Sequence, residues 1–369
     1  MDTMWMDPVT DACRGGLRMP SLALAVALLA CACTGGSPRG GGEVSHAPTA
    51  TVTSSSPAGP PTASYPDFWR TPHDGDPIDP RSAEMMRAIE QAARRPYVFL
   101  SGTDGPRWGA PYYEASATEA TVAVTCPGPP CYSFPPSGTI RFRIPSDARP
   151  SQDTDRELVV IDRTPGTDAV LWLWHACPPH ACGTWTAHGI SFTSLDSDEL
   201  DRCWAQHYPG AVPASNLQNV GHRGLPGLYL GIRYGEVATD RSISHALKIA
   251  IPDTASSHVY PYVGDEGRGG SIPEGTLMRL KRTVALSSLS PAARVIARAL
   301  KRYGAVVGDT SGGTVGLKVE NLVVEHSPDR WARLRINGES LSKIPLSDFE
   351  IVKLGYGAPG PVPASCPTG

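Results

Sequence analysis

Apolar and polar residues alternate most cleanly from Ile243 to Ile251. Ile243, His245, Leu247, Ile249 and Ile251 share one face of an expected strand, and Ser244, Ala246, Lys248 and Ala250 share the other. The pattern sets His245 among aliphatic side chains, in a core or on the floor of a cleft. Similar runs recur at 97–100, 112–113, 120–125, 139–144, 158–162, 169–174, 185–195, 258–263, 276–286, 305–308 and 314–319. Gly, Pro, Asp and Ser clusters separate them, the spacing of antiparallel sheets. Within 139–144, Arg141 and Arg143 alternate with Ile140, Phe142 and Ile144, which predicts one cationic face. Within 169–174, Trp172 and Trp174 share a face, either to stack on sugar rings or to form an apolar layer beneath a loop.

Helical periodicity is confined to three places. One is 80–95, opened by Asp79-Pro80, with Met85, Met86 and Ile89 on one side; another is 197–207, with Asp196 as N-cap and Glu199 completing a capping box. The third, 290–303, has Ser290 as N-cap, Pro291 at the first helical position and Gly304 past the end. The predicted fold is therefore mostly β: an antiparallel β-sandwich or jelly roll with two or three peripheral helices.

Composition adjusts this picture at the N-terminus. Arg14 and Arg18 precede the apolar run 21–30, which has the length of a secretory segment and is too short to span a bilayer. Leu28-Leu29-Ala30-Cys31 resembles the lipobox of bacterial lipoproteins, in which the cysteine is acylated; an ordinary cleaved signal peptide is the alternative. Residues 32–65 hold almost no large apolar side chains and read as a Gly/Ser/Thr/Pro tether. The expected organisation is a signal at 1–31, the tether, one β-rich domain at 66–358 and a tail at 359–369. The 38 Gly and 37 Pro disfavour long helices, and a net charge of -3 without a basic stripe excludes nucleic acid as a partner.

Beyond the signal region, Cys126, Cys131, Cys177, Cys182, Cys203 and Cys366 form an even set, which in an exported chain reads as disulfides. Cys126–Cys131 and Cys177–Cys182 would pin local loops, and Cys203 and Cys366 would tie the tail to the body, although other pairings are compatible. A zinc site using His180 is the sharper alternative; its cysteine spacing is longer than structural zinc usually shows.

The run from Gly224 to Asp309 contains GLPGLYLGIRYGEV, SISHAL, VYP and SPAARVIARALKRYG. It resembles a family of secreted, uncharacterised bacterial proteins common in actinobacteria, with weaker likeness at Asp155-Arg156 and 185–189. The resemblance implies no activity. This chain departs from the pattern at Glu157, where the family has histidine, near Gly221, and at Tyr262-Val263-Gly264, where the family has an Arg-His pair; it keeps His245, Glu236 and Asp309.

No G-x-S-x-G elbow, P-loop, H-E-x-x-H or dinucleotide fingerprint is present, and no motif calls for a metal or cofactor. Acid–base chemistry on a polysaccharide would use His245 as base or acid and Asp309 or Glu236 as its partner, with Arg241 or Arg223 holding a substrate carboxylate. Trp172, Trp174 and the loop residue His222 complete the candidate binding set. Each has a plain structural reading beside it: His245 as a satisfied core histidine, Asp309 as a turn residue before Thr-Ser-Gly-Gly, Glu236 in a short helical turn facing solvent. The expected protein is a surface-anchored one that binds or processes carbohydrate, with polysaccharide and the membrane as partners; the alternative is a non-catalytic structural or protein-binding lipoprotein.

Overall fold

Runs rich in β-branched or aromatic residues form β1 (Phe99–Ser101), β2 (Tyr112–Ala115), β3 (Thr121–Thr125), β4 (Tyr132–Ser133), β5 (Thr139–Arg143), β6 (Leu158–Asp162), β7 (Ala169–Trp174), β8 (Trp185–Thr186) and β9 (Gly189–Ser194). The second half contributes β10 (Leu247–Pro252), β11 (Thr254–His258), β12 (Ile272–Glu274), β13 (Leu277–Leu280), β14 (Ala305–Ser311), β15 (Gly316–Lys318) and β16 (Phe349–Ile351). The helices are α1 (Ser82–Ala92), α2 (Pro179–Cys182), α3 (Tyr234–Ala238), α4 (Pro291–Arg302) and α5 (Asp329–Arg333). This computed structural model describes residues 68–103, 108–128, 132–133, 139–195, 223–252, 254–262, 264–267, 269–322 and 329–357, all within one compact unit, Thr53–Gly369. The expected signal with Cys31, the tether, the helix at 197–207, His222, Cys131, Cys203, Cys366 and the tail at 359–369 lie outside the described residues.

Three sheets stack into a sandwich-like, mostly-β body, and β11 and β12 form a separate two-stranded pair. One runs β1-β15-β10-β14-β13-β16, a second β2-β6-β7-β9-β4, and a third β5-β3-β8. One face of the five-stranded sheet (Leu158, Val160, Leu171, Leu173, Ile190) packs with Val124, Phe142 and Trp185 of the three-stranded sheet. Its other face (Val159, Ile161, Val170, Trp172) joins the main core with the six-stranded sheet. On that larger sheet α1 lies against β10 and β16, and α4 against β13.

The sheets are mixed rather than purely antiparallel. β10 pairs parallel with β14, β1 with β15, and β2 with β6. A parallel neighbour needs a long crossover, and the chain between β10 and β14 supplies one that ends in α4. That helix forms where its signals lie: Ser290 Oγ accepts from the Ala293 N–H at 3.2 Å, and Gly304 takes φ 72° past its end. Val295, Ile296, Ala299 and Leu300 form its buried side.

The strand expected from Ile243 begins only at Leu247. Before it, the Ala246 N–H donates to the Trp69 carbonyl at 2.6 Å, so this segment is tied to the N-terminal part of the domain instead of the sheet. Both faces of β10 are covered, so Lys248, placed by alternation on a polar side, is buried. The cationic face of β5 is also reduced: Arg143 Nη1 donates to Asp162 Oδ2 at 3.0 Å, Thr164 Oγ1 at 2.8 Å and Thr167 Oγ1 at 2.9 Å. Cys177 and Cys182 form a disulfide around α2, which leaves those two sulfurs unavailable to zinc. Cys126 is disulfide-bonded as well.

Candidate functional site

His245 is 2% exposed. Its Nδ1 meets the Ala246 carbonyl at 2.8 Å and its Nε2 meets Glu236 Oε1 at 2.9 Å, with the Tyr229 ring 4.8 Å away. Both ring nitrogens face acceptors, so neither is open to a substrate. Glu236 occupies the third position of α3, where its carboxylate accepts from the Arg233 backbone N–H at 2.9 Å and from the Arg233 guanidinium. Burial alone would raise the Glu236 carboxyl, but His245 and Arg233 outweigh it and hold the group down at about 2. Glu236 is thus the partner of His245, and it faces the interior, not solvent.

Asp309 lies elsewhere. It belongs to β14 rather than to a turn, and its position follows from one irregularity. Lys248 pairs with Val306 and Ile249 with Val307, but Ala250 pairs with Asp309, so Gly308 is an extra residue in β14. Without that bulge Asp309 would point to the opposite face. With it, Asp309 shares a face with Lys248, and Lys248 Nζ lies 3.0 Å from Asp309 Oδ2. The register of Ile249 against Leu317 sets Lys318 opposite Lys248. Lys318 Nζ reaches Glu157 Oε2 at 2.9 Å, Asp309 Oδ2 at 3.7 Å and Asp155 Oδ2 at 3.9 Å. Asp155 and Glu157 lie just before β6, so this charged cluster joins the two larger sheets.

Arg223 closes one side. Its Nη2 donates to Glu266 Oε2 at 2.6 Å, and its Nη1 to Glu274 Oε2 at 3.1 Å and to the Gly308 carbonyl at 3.3 Å. Glu266 accepts from the Thr310 N–H at 2.8 Å and is hydrogen-bonded to Asp309. The Tyr262 hydroxyl is buried against Gly308 with no hydrogen-bond partner, and a Cβ on Gly308 would lie 1.6 Å from it. Burial, reinforced by Glu157, raises Asp155 to about 6; burial and Asp309 raise Glu266 to about 7. Burial lowers Lys248, whereas Lys318, where burial works the same way, is raised by Glu157, Asp309 and Asp155. The two lysine side chains are 0% and 6% exposed, but those of Asp309, Asp155 and Glu266 are 20%, 27% and 35% exposed. The cluster therefore presents carboxyl groups outward over a cationic floor.

Asp153 organises the rim beside Asp155. Its Oδ2 accepts from the Trp108 N–H at 2.6 Å, and its Oδ1 accepts from the Asp155 N–H at 3.0 Å and the Arg156 N–H at 3.1 Å. The His175 N–H donates to the Asp155 carbonyl at 2.7 Å, and the Ala176 N–H to the Arg156 carbonyl at 3.1 Å. Trp108, Arg156 and His175 all hold positive φ (67°, 46° and 50°), a backbone region costly for side-chain-bearing residues. Trp174 stacks on His175 at 3.7 Å, with the His188 ring 6.0 Å from that of His175.

The structure thus separates the residues expected to act together. His245 and Glu236 form one sealed pair, while Asp309 and Arg223 belong to the ionic cluster. Arg241 is exposed on its own segment, where its carbonyl accepts from Arg298 Nη2 at 3.5 Å, and it does not line the cluster. Trp172 is core, packed beneath the turn at Gly227, where a Cβ would come within 3.0 Å of the Trp172 Cβ; Trp174 is half-buried at the rim. Sequence reasoning missed Lys248, Lys318, Asp155, Glu157, Glu266, Glu274, Tyr262 and Trp108 as site residues. The available signal was a lysine flanked on both sides by apolar residues, in LKI and again in LKV. No family model, curated protein or solved structure matches the chain.

Proposed function

We propose that this is an exported surface protein, anchored through acylated Cys31, that binds carbohydrate of the envelope or environment at the rim around Trp108. The observation that carries the reading is the Trp108 indole, 47% exposed and held in a left-handed backbone conformation by Asp153. A flat apolar face of this kind suits the C–H side of a sugar ring, and the neighbouring carboxyl groups suit its hydroxyls. The Cys177–Cys182 disulfide fits an oxidising compartment, in keeping with the basic, apolar and Cys31 signals at the N-terminus. Among the described residues no helix is long and apolar enough to cross a membrane, and the proposed attachment is through lipid. Because His245 and Glu236 are sealed, that pair can neither bind nor turn over a substrate, and the reading rests on binding at the rim.

The test is a glycan array together with pull-down on cell-wall polysaccharides. Wild type is expected to bind and Trp108→Ala to bind roughly tenfold more weakly, the scale of one aromatic contact. Equal binding by the two would refute the rim as the site. No binding by folded wild type would favour the structural or protein-binding lipoprotein.

One observation favours a catalytic second reading: Asp155 is partly open and raised to about 6. A carboxyl that keeps its proton near that pH can protonate a glycosidic oxygen. Release of reducing ends by wild type and not by Asp155→Asn would support it.

A further inference from the structure

Burying an ammonium group is costly even when it is paired, and Lys248 is fully covered at the centre of the six-stranded sheet. Its Nζ is already in contact with Asp309 Oδ2 at 3.0 Å, so the electrophilic Cγ is one bond further away. The Gly308 bulge exists at the one position that turns Asp309 toward this lysine. The Tyr262 hydroxyl, buried without a partner, packs against the same bulge. Together these features describe a site arranged around a bond between two side chains.

We propose that Lys248 and Asp309 condense into an intramolecular isopeptide bond, Lys248 Nζ to Asp309 Cγ, covalently joining the adjacent strands β10 and β14. Lys248 Nζ passes a proton to Asp309 Oδ2, 3.0 Å away, and the resulting amine attacks Cγ of the neutral carboxyl to give a tetrahedral intermediate. Lys318, 3.7 Å from Asp309 Oδ2, places a positive charge beside the developing oxyanion. Glu266 is hydrogen-bonded to Asp309 and fixed by the Thr310 N–H and Arg223. It donates its proton to the departing hydroxyl and recovers one from the nitrogen, so one water leaves and Glu266 is regenerated. An amine and a carboxylic acid become an amide and water, with no change of oxidation state.

The electrostatics suit these roles. Burial favours the uncharged amine of Lys248 and retains a proton on Glu266. Lys318 is the poorer nucleophile, because Glu157 at 2.9 Å and its other carboxylate neighbours keep it as ammonium. The product replaces the fully buried Lys248 ammonium and its partly exposed Asp309 partner with a neutral amide.

Mass spectrometry on the full, reduced protein tests the proposal. Trypsin is expected to leave Lys248 uncut and to yield a branched peptide in which residues 242–268 are joined to residues 303–318, lighter by one water than the two separately. Intact wild type is expected to be one water lighter than Lys248→Arg, after allowance for the substitution itself. Glu266→Gln is expected to accumulate unlinked chain. Separate peptides with Lys248 cleaved in wild type overturn the proposal. Loss of water confined to a single peptide does so too, since a cyclised aspartate would have the same mass. Full cross-linking in Glu266→Gln overturns the relay. The wild-type measurement does not depend on any variant folding, and Lys248→Arg retains the cationic side chain.

Discussion

Glu236 accepts from the Arg233 backbone N–H, from the Arg233 guanidinium and from His245 Nε2, and each of these favours its ionised form. Its folded value of about 2 lies below the ordinary 4.5. Stability from this group is therefore fully present above the ordinary value and is lost as pH falls from there toward about 2. A depression of that size corresponds to about 3 kcal/mol. Urea unfolding at pH 5 and at pH 3 should show wild type losing a share of that stability, with a shallower loss in Glu236→Gln. At pH 5 that variant should be destabilised by about 3–5 kcal/mol, because His245 and Arg233 lose their buried partner. Parallel pH curves for the two proteins would exclude this account. Of these residues, His245 and Glu236 were legible in the sequence as a polar pair of interest, but their role was not. Lys248 was legible only as a lysine between Leu247 and Ile249, not as a buried one. Alternation assigns it to a face, and only the second sheet, remote in sequence, decides that this face is dry.

Elements whose signals are local were the legible ones. α4 forms because serine, proline, a buried apolar side and glycine follow one another in a single stretch. Ser290→Ala should cost about 1 kcal/mol in urea unfolding through loss of its cap. The parallel pairing of β10 with β14 was not legible, since it depends on where a long crossover returns. The bulge was not legible either, because an extra residue shows only against its partner strand. Gly308 is the clearest case: a side chain there would collide with the Tyr262 hydroxyl at 1.6 Å and ring carbons at 2.4 Å and 3.0 Å. Gly308→Ala should therefore destabilise by about 1–3 kcal/mol, the range for overpacked interiors. In a double-mutant cycle Gly308→Ala should cost less in a Tyr262→Ala background than in wild type, because the side chain it collides with is gone. Wild-type stability in Gly308→Ala would mean that β14 can accept the side chain without losing its register.

Across the whole molecule, the contact between the two larger sheets is partly ionic, and its charges respond to pH in the opposite sense to Glu236. Asp155 has an ordinary value of 3.8 and is raised to about 6 in the folded chain. Between those limits the folded state holds more protons than the unfolded one, so stability falls as pH rises through the window. Glu266, raised to about 7, acts in the same direction wherever Asp309 still carries its carboxyl. Glu236 withdraws stability below its ordinary 4.5, while Asp155 withdraws it above 3.8, and the sum should be greatest near about pH 4–5. A series of urea midpoints from pH 3 to pH 8 tests this. Wild type should decline between about pH 5 and 6.5, and Asp155→Asn, which keeps the shape of the protonated side chain without its titration, should decline less. A wild-type midpoint that rises across that interval would mean that the lysine floor, not burial, governs Asp155. The two sheets would then be held together by a charge pair that gains strength as Asp155 ionises.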